Sequence, residues 1–324
     1  MVLLTPFIHA ENVRAMTAET TTSSGGQTDR NWGRWGQEDE RGALNLLSPD
    51  VVLRATQVCK TGKVYNLGLP VQRAGVPVFD YRGAPQRLTL TSQTDEGAYA
   101  DFGAPDGLGT NEDVMVIANH NGTHMDALCH VYSDDHFYNG FSKHTFSSQG
   151  GAGRCGIEKL GGFAARAVVL DLPASMGVET LEPGLKIAGD DLEQAASKQG
   201  LTVGVGDALL VRTGWLDIFE RHTAEGTPPP FAQPGLGLSC IEFIRDNGVA
   251  VVGSDNAAIE CIPFDDNRFL SVHIELLVKL GIPLLEHMVL TRMTADECYE
   301  ALLVVAPMLV TGGSGSPINP IAIG

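Results

Sequence analysis

Three histidines and one aspartate lie within the eleven-residue segment from His120 to His130. The segment reads His-Asn-Gly-Thr-His-Met-Asp-Ala-Leu-Cys-His and contains three of the nine histidines in the chain. Neutral imidazole and carboxylate oxygen are the ordinary protein ligands of Zn²⁺, Mn²⁺ and Fe²⁺. A lone histidine is more often a surface or core residue than a ligand, but this clustering favours a metal site.

The spacing within the segment can bring three of these side chains together. Gly122 favours a sharp turn that folds His120 back beside His124. In an extended chain, His124 and Asp126 lie two residues apart and therefore on one face. We predict that His120, His124 and Asp126 bind one ion, which leaves His130 available for proton transfer.

The pattern His-x-Gly-Thr-His-x-Asp, followed by a histidine four residues later, resembles the signature of the metal-dependent cyclase family. That family includes kynurenine formamidases, isatin hydrolases and related amide or ester hydrolases. The pattern Trp-Gly…Asp-Glu-x-Gly-x-Leu-Asn within residues 35–45 resembles the opening of the longer family members. The resemblance implies a swivelling β/β/α-type layered fold and assembly into homodimers or homotetramers.

The resemblance also implies two further metal ligands. The family carries His-x-x-Leu-Leu and, downstream, Gly-Ile-x-x-x-Glu, and the matching residues are His273 and Glu286. Asp126 would then bridge to a second ion held by these two residues. The spacing between them is one residue longer than in the shorter formamidases, and Glu275 is a competing ligand.

The elements that must position these residues alternate between strand and helix. The apolar run Val114–Ala118 predicts a buried strand that ends at the histidine segment. Alternation of apolar strands with helices is typical of an α/β fold. The sequence predicts strands at 64–69, 167–172, 206–215, 249–253, 282–287 and 301–306, and helices from 49 to about 61 and at 190–200, 239–247 and 272–281.

The 324 residues are expected to form a flexible arm and one domain. Residues 1–30 end in a polar, Gly/Ser/Thr-rich stretch that predicts mobility. No repeat or long linker divides residues 31–324, so we predict a single domain there. Within it, Gln72–Gly109 is predicted to be an irregular loop that is either a lid or a surface loop without a role in function. The Gly/Ser-rich tail at 312–317 is expected to pack, as in the family.

Composition argues against several classes of partner. A net charge of −17 repels phosphate backbones and therefore disfavours nucleic acid. No run of about 18 apolar residues occurs, which argues against a membrane span. The six cysteines are scattered without a Cys-x-x-Cys pair, as is typical of a reduced cytoplasmic protein. The expected partner is a small-molecule substrate.

Together these residues predict a metal-dependent hydrolase. One or two bound Zn or Mn ions would lower the pKa of water toward about 7 and so supply hydroxide to attack the carbonyl carbon of an amide, cyclic amide, lactone or ester. His130 would deliver the proton to the leaving group. The side chains expected to hold an aromatic or cyclic substrate are Trp32, Trp35, Phe79, Tyr81, Phe137 and Trp215.

Three other functions fit parts of the pattern. His124, Asp126 and His273 imitate the two-histidine, one-carboxylate triad of non-haem Fe(II) oxygenases, although the alternating elements disfavour the run of strands expected there. An inert relative that only binds a small molecule would be expected to lose part of the ligand set, and every motif position is filled. A metal-assisted cyclase or dehydratase would use the same residues as a hydrolase.

Overall fold

The strands of the described chain form one nine-stranded sheet and three two-stranded sheets. The computed structural model describes residues 29–95 and 97–324, so the predicted arm lies outside the described residues except for its last two. The strands are β1 (Val64–Asn66), β2 (Gln86–Thr91), β3 (Glu112–Val116), β4 (His124–Asp126), β5 (Phe146–Ser147), β6 (Gly151–Ala152), β7 (Phe163–Asp171), β8 (Lys186–Ile187), β9 (Ala208–Arg212), β10 (Gly235–Leu236), β11 (Val251–Ser254), β12 (Leu284–Glu286), β13 (Glu300–Val305), β14 (Gly315–Pro317) and β15 (Ile321–Ile323).

The described chain also contains α-helices, some of which connect the central strands. They are α1 (Pro49–Thr56), α2 (Ile157–Leu160), α3 (Leu172–Met176), α4 (Gly189–Gln199), α5 (Trp215–Glu225), α6 (Cys240–Asp246), α7 (Ser271–His273) and α8 (Thr291–Ala295). Instead of one regular helix at 272–281, α7 continues into a π-helix over Ile274–Leu280. No helix in this described part of the chain is both long enough and apolar enough to cross a membrane.

The nine-stranded sheet has a parallel centre and antiparallel edges. Its order is β1-β15-β13-β7-β9-β11-β12-β4-β14. The neighbours from β7 to β12 pair in parallel, whereas β4 and β14 on one side and β13 and β15 on the other pair antiparallel. Parallel neighbours require crossovers, and α4 to α7 supply them. The predicted α/β fold is confirmed.

The core lies around the central strands. The strands β9 and β11 are buried along almost their whole length, which matches their continuous apolar sequence. Helix α1 begins where predicted, with Pro49 in its first turn and the Ser48 side chain accepting a hydrogen bond from the Val51 amide. It ends at Thr56, shorter than the sequence predicts.

The apolar run before the histidine segment is not a buried strand. The strand β3 is exposed along its whole length and pairs only with β2, in a hairpin outside the nine-stranded sheet. Side chains such as Val114 and Val116 are 40% and 57% exposed. The prediction was wrong because an apolar run does not reveal whether a second layer covers it. The same hairpin places a strand inside the stretch 72–109 that was predicted to be irregular.

The strand that carries the histidine segment is β4. It lies between β12 and β14 and pairs antiparallel with both. The C-terminal Gly/Ser-rich tail therefore adds a strand to the sheet, and its predicted packing is confirmed. This arrangement places residues from three distant parts of the sequence beside one another.

Candidate metal centre

Strand pairing places three side chains of the candidate site on one face. His124 and Asp126 lie two residues apart in β4, and Glu286 of β12 lies directly opposite His124. Residues two apart, and residues directly opposed, share a face of a sheet. As a result, Nε2 of His124 lies 3.2 Å from Oε2 of Glu286 and 3.5 Å from Oδ1 of Asp126.

The turn before β4 adds His120. Gly122 adopts a φ of 63°, and the ring centroids of His120 and His124 lie 5.1 Å apart. This confirms the predicted turn. Nδ1 of His120 lies 2.8 Å from Oδ1 of Asp126, and its Nε2 lies 3.0 Å from the hydroxyl oxygen of Ser314.

His273 enters the cluster from the last residue of α7. Its Nε2 lies 3.3 Å from Oε1 of Glu286 and 3.8 Å from Oδ2 of Asp126. Its Nδ1 lies 2.6 Å from Oε1 of the buried Glu260, which also accepts hydrogen bonds from the amides of Val272 and His273. A carboxylate on one imidazole nitrogen fixes the ring and leaves the other nitrogen for a metal.

The five side chains form two overlapping ligand groups. The first is His120, His124 and Asp126, and the second is Asp126, His273 and Glu286; within each group the ligand atoms all lie within 4.8 Å of one another. Oδ2 of Asp126 is buried and has no hydrogen-bond partner in the described structure. Because such an oxygen is costly to bury, three imidazoles and two carboxylates arranged in this way fit a bound divalent metal.

The charges within the cluster support the same conclusion. Burial lowers the pKa of His273, but its hydrogen bonds to Glu260 and Glu286 outweigh this effect and raise the pKa to about 10. Burial raises the pKa of Asp126, but the neighbouring imidazoles lower it below its usual range. In the described structure the imidazoles supply the positive charge that the two buried carboxylates require, and a divalent cation bound by the same atoms would take over that role.

His130 lies beside the cluster and outside both ligand groups. Its ring stacks on that of His120, with centroids 4.0 Å apart. Burial lowers the pKa of His130 to about 4, so its imidazole is neutral at pH 7. Its neutral ring has a free nitrogen that can accept a proton, and a pKa this far below 7 favours rapid release of that proton.

Two cavities flank the cluster. The histidine cavity, of about 640 Å³, is lined by His120, His130, Tyr81, Tyr132, Phe137 and His144 among others. The aromatic cavity, of about 570 Å³, is lined by Phe79, Tyr81, Trp215, Phe219, Phe231 and His287 among others. Tyr81 lines both cavities, so its segment separates them.

Comparisons with known proteins identify the family of the chain. The sequence profile described as "Putative cyclase" matches residues 65–261. The chain is 31% identical to a protein of known crystal structure described as a novel cyclase, with a TM-score of 0.80 over 91% of this chain and 97% of that one. The chain belongs to the cyclase family.

More distant relatives of this cyclase-family protein share its fold. An isatin hydrolase bound to the product analogue thioisatinate is 18% identical, with a TM-score of 0.55 over 80% of this chain and 91% of that one. Isatin hydrolase A from Labrenzia aggregata, bound to benzyl benzoate, is also 18% identical, with a TM-score of 0.57 over 80% and 93%. A search of curated proteins finds no match.

The aromatic residues predicted to hold substrate in this cyclase-family chain fall into two sets. Phe79, Tyr81 and Trp215 line the aromatic cavity, and Tyr81 and Phe137 line the histidine cavity. Trp32 and Trp35 line neither. Both pack against the core, and the Trp32 indole donates a 2.7 Å hydrogen bond to the carbonyl oxygen of Val278. Within one chain they pack on the core, and their contact with substrate stays a prediction.

The competing ligand Glu275 lies outside both metal groups, as do His136 and His144, two further histidines near the site. Glu275 accepts a 2.8 Å hydrogen bond from Lys279, so Glu286 is the glutamate of the cluster. His136 contacts the backbone carbonyl of Asp134, and His144 lies on the exposed rim of the histidine cavity.

Sequence reasoning missed Glu260, Ser314 and His287. A signal for Glu260 was present, because an acid between Ile259 and Cys261 reads as a charge within an apolar stretch. His287 follows Glu286 directly, and burial lowers its pKa to about 4. Ser314 had no local signal, because its role depends on the pairing of β14 with β4.

Gly315→Ala is expected to disturb the centre from outside the ligand set. A Cβ at this position would lie 2.6 Å from Cε1 of His120 and 2.8 Å from the Met125 carbonyl oxygen, so the imidazole must shift. We expect metal affinity to fall by about 10- to 100-fold, as when other supports of a ligand are lost. Competition with a chromophoric chelator measures this change. Gly109→Ala, where a Cβ meets open space, is the control; equal affinities of the two variants would contradict the prediction.

Proposed function

We propose that the protein is a metal-dependent hydrolase that cleaves a carbonyl C–N or C–O bond in a small aromatic or cyclic substrate. The observation that carries the proposal is the pair of ligand groups sharing Asp126, one of which opens through His120 onto the histidine cavity. Mixed imidazole and carboxylate ligands suit Zn²⁺ or Mn²⁺, with one or two ions per chain.

The chain's own side chains would divide the work of such a reaction. A bound dication supplies water of lowered pKa and stabilises negative charge on a carbonyl oxygen. His130 lines the cavity next to His120, so it can carry a proton to the leaving nitrogen or oxygen. Tyr81 and Phe137 give the cavity apolar walls against which a ring can pack.

A cysteine nucleophile is disfavoured by the environment of Cys129, which also lines the histidine cavity. Burial raises the pKa of its thiol to about 12, so almost none is ionised at neutral pH. The thiolate is the reactive form of cysteine. The fold shared with isatin hydrolases also supports hydrolysis over an oxygenase reaction.

The test is a substrate panel assayed on metal-free protein and on protein reloaded with Zn²⁺ or Mn²⁺. The panel contains aryl formamides, cyclic amides, lactones and simple esters. We expect about one or two metal equivalents per chain, activity only in the loaded protein, and incorporation of ¹⁸O from solvent water into the product acid. Full activity without metal, or an acyl-enzyme detected by mass spectrometry, would refute the proposal.

A further inference from the structure

The lining of the histidine cavity carries positive charge, although the chain as a whole is strongly acidic. Among the described residues, this lining includes Arg82 and Lys143 but no aspartate or glutamate. The chain has 39 acidic residues against 22 basic ones. The described lining of the aromatic cavity, in contrast, includes Asp80 and neither lysine nor arginine. Because a cleft lined by one sign of charge attracts ligands of the other sign, the histidine cavity is the one suited to an anion.

Only one of these two cations lacks a carboxylate partner in the described structure. Lys143 forms an ion pair with Asp135. The half-buried guanidinium of Arg82 makes one hydrogen bond, in which Nη1 donates to the carbonyl oxygen of His120. Its remaining N–H groups meet no acceptor among the described residues. The cavity therefore presents one unpaired, permanent positive charge, which suits a monoanion.

The guanidinium of Arg82 is held in place before any ligand binds. Its Cζ lies 5.2 Å from the ring centroid of Phe79 and 5.3 Å from that of Tyr81, and these two rings stack with centroids 5.9 Å apart. Nδ2 of Asn121 donates a 2.8 Å hydrogen bond to the carbonyl oxygen of Gly83. The turn that carries Arg82 is thus joined to the histidine segment, and a fixed guanidinium loses little freedom when it binds an anion.

Arg82 lies beside the candidate metal centre. It bonds to the backbone of His120, whose side chain belongs to the first ligand group and lines the same cavity. One residue therefore separates the guanidinium from a candidate metal ligand. The planar fork of a guanidinium matches the two oxygens of a carboxylate, and such charge-assisted pairs are stronger than neutral hydrogen bonds.

We infer that the histidine cavity binds a substrate with a carboxylate separate from the carbonyl group that is cleaved, and that Arg82 binds this carboxylate. The inference rests on the proposed function only in treating the bound anion as the substrate. Tyr81 and Phe137 supply the apolar walls for the rest of the molecule. A neutral analogue of similar shape loses the charge-assisted hydrogen bonds and should bind more weakly.

NMR titrations of small ligands test the inference on the protein in the presence of Zn²⁺. The probes are three monosubstituted benzenes: the anions benzoate and benzenesulfonate, and neutral benzamide. The sulfonate is included because it is a weak metal ligand, whereas a carboxylate can also bind to the metal itself. We expect both anions to bind about 10-fold or more tightly than benzamide. Equal binding of benzenesulfonate and benzamide, or no detectable binding of benzenesulfonate, would overturn the inference.

Variants of Arg82 assign the contact. Arg82→Gln should reduce the preference for both anions over benzamide to within about threefold, whereas Arg82→Lys should keep part of it. A purely structural role would weaken all three probes together and leave the preference unchanged. Arg87→Gln is the matched control, because Arg87 pairs with Asp113 at 3.2 Å and does not line the cavity. If Arg82→Gln keeps the full preference, another group binds the anion and the inference is wrong.

The inference and the proposed function can fail separately. Selective binding of anions through Arg82, without hydrolysis of any amide or ester, would refute the hydrolase and leave the anion site standing. Hydrolysis by a protein that shows no preference for anions would do the reverse. If thermal melting shows that Arg82→Gln is misfolded, the wild-type probe series and Arg82→Lys still decide.

Discussion

Replacing Asp126 with asparagine is expected to abolish metal binding and activity together. Asp126 is the residue common to both ligand groups, and its Oδ2 has no partner in the described structure. Asparagine keeps the shape but removes the negative charge that a dication requires. We expect metal affinity to fall by about 100-fold or more, because even a change that only supports a ligand costs about 10- to 100-fold.

Elemental analysis of the dialysed variant, together with chelator competition, measures the loss. Asp113→Asn is the matched control, because Asp113 lies on the exposed strand β3 and belongs to neither ligand group. We expect the control to retain the metal content and turnover of the wild-type protein. Wild-type metal content in Asp126→Asn would show that Asp126 is not a ligand.

Among the strands that the sequence predicts, those with continuous apolar sequence at the centre of the sheet are buried on both faces. A strand such as β9 or β11 has a continuous apolar sequence because helices and neighbouring strands cover it completely. The prediction that β3 is a buried strand was wrong because β3 lacks such a covering layer. Its apolar residues satisfy the pattern of a buried strand, but only the tertiary structure determines that this hairpin stands apart from the main sheet.

Some residues of the candidate site are grouped by short-range features of the sequence, and others are brought together only by contacts between distant parts of the chain. The turn at Gly122 is a short-range feature, and so is the alternation of side chains between the two faces of a strand. His120, His124 and Asp126 could therefore be grouped from spacing alone. Glu286 joins them through the register of β12 against β4, which spacing does not contain. For this residue the family resemblance supplied what local patterns could not.

The residues that contact the candidate metal ligands were the hardest to predict from the sequence. Glu260 orients His273 across thirteen residues of sequence, and Ser314 contacts His120 across 194. No periodicity connects residues so far apart, because loop and strand packing bring them together only in the folded chain. The same limit applies to Trp32 and Trp35. An aromatic side chain suits either a pocket wall or a cap on the core, and the sequence does not show which of the two it forms.

His130→Ala is expected to separate catalysis from metal binding. His130 belongs to neither ligand group, yet its ring stacks on His120 and lines the histidine cavity. Loss of a general acid or base lowers turnover by roughly 10²- to 10⁴-fold. Metal content should stay at the wild-type level, because the five ligand side chains remain.

Turnover and metal content must be measured on the same preparation for this variant. His222→Ala, which changes a histidine of α5 that contacts Thr227, controls for the loss of an imidazole elsewhere. Added imidazole should restore part of the activity of His130→Ala, since a small base can enter the space left in the cavity. If metal is lost along with activity, His130 is a ligand; if activity persists, the proton is carried by another group.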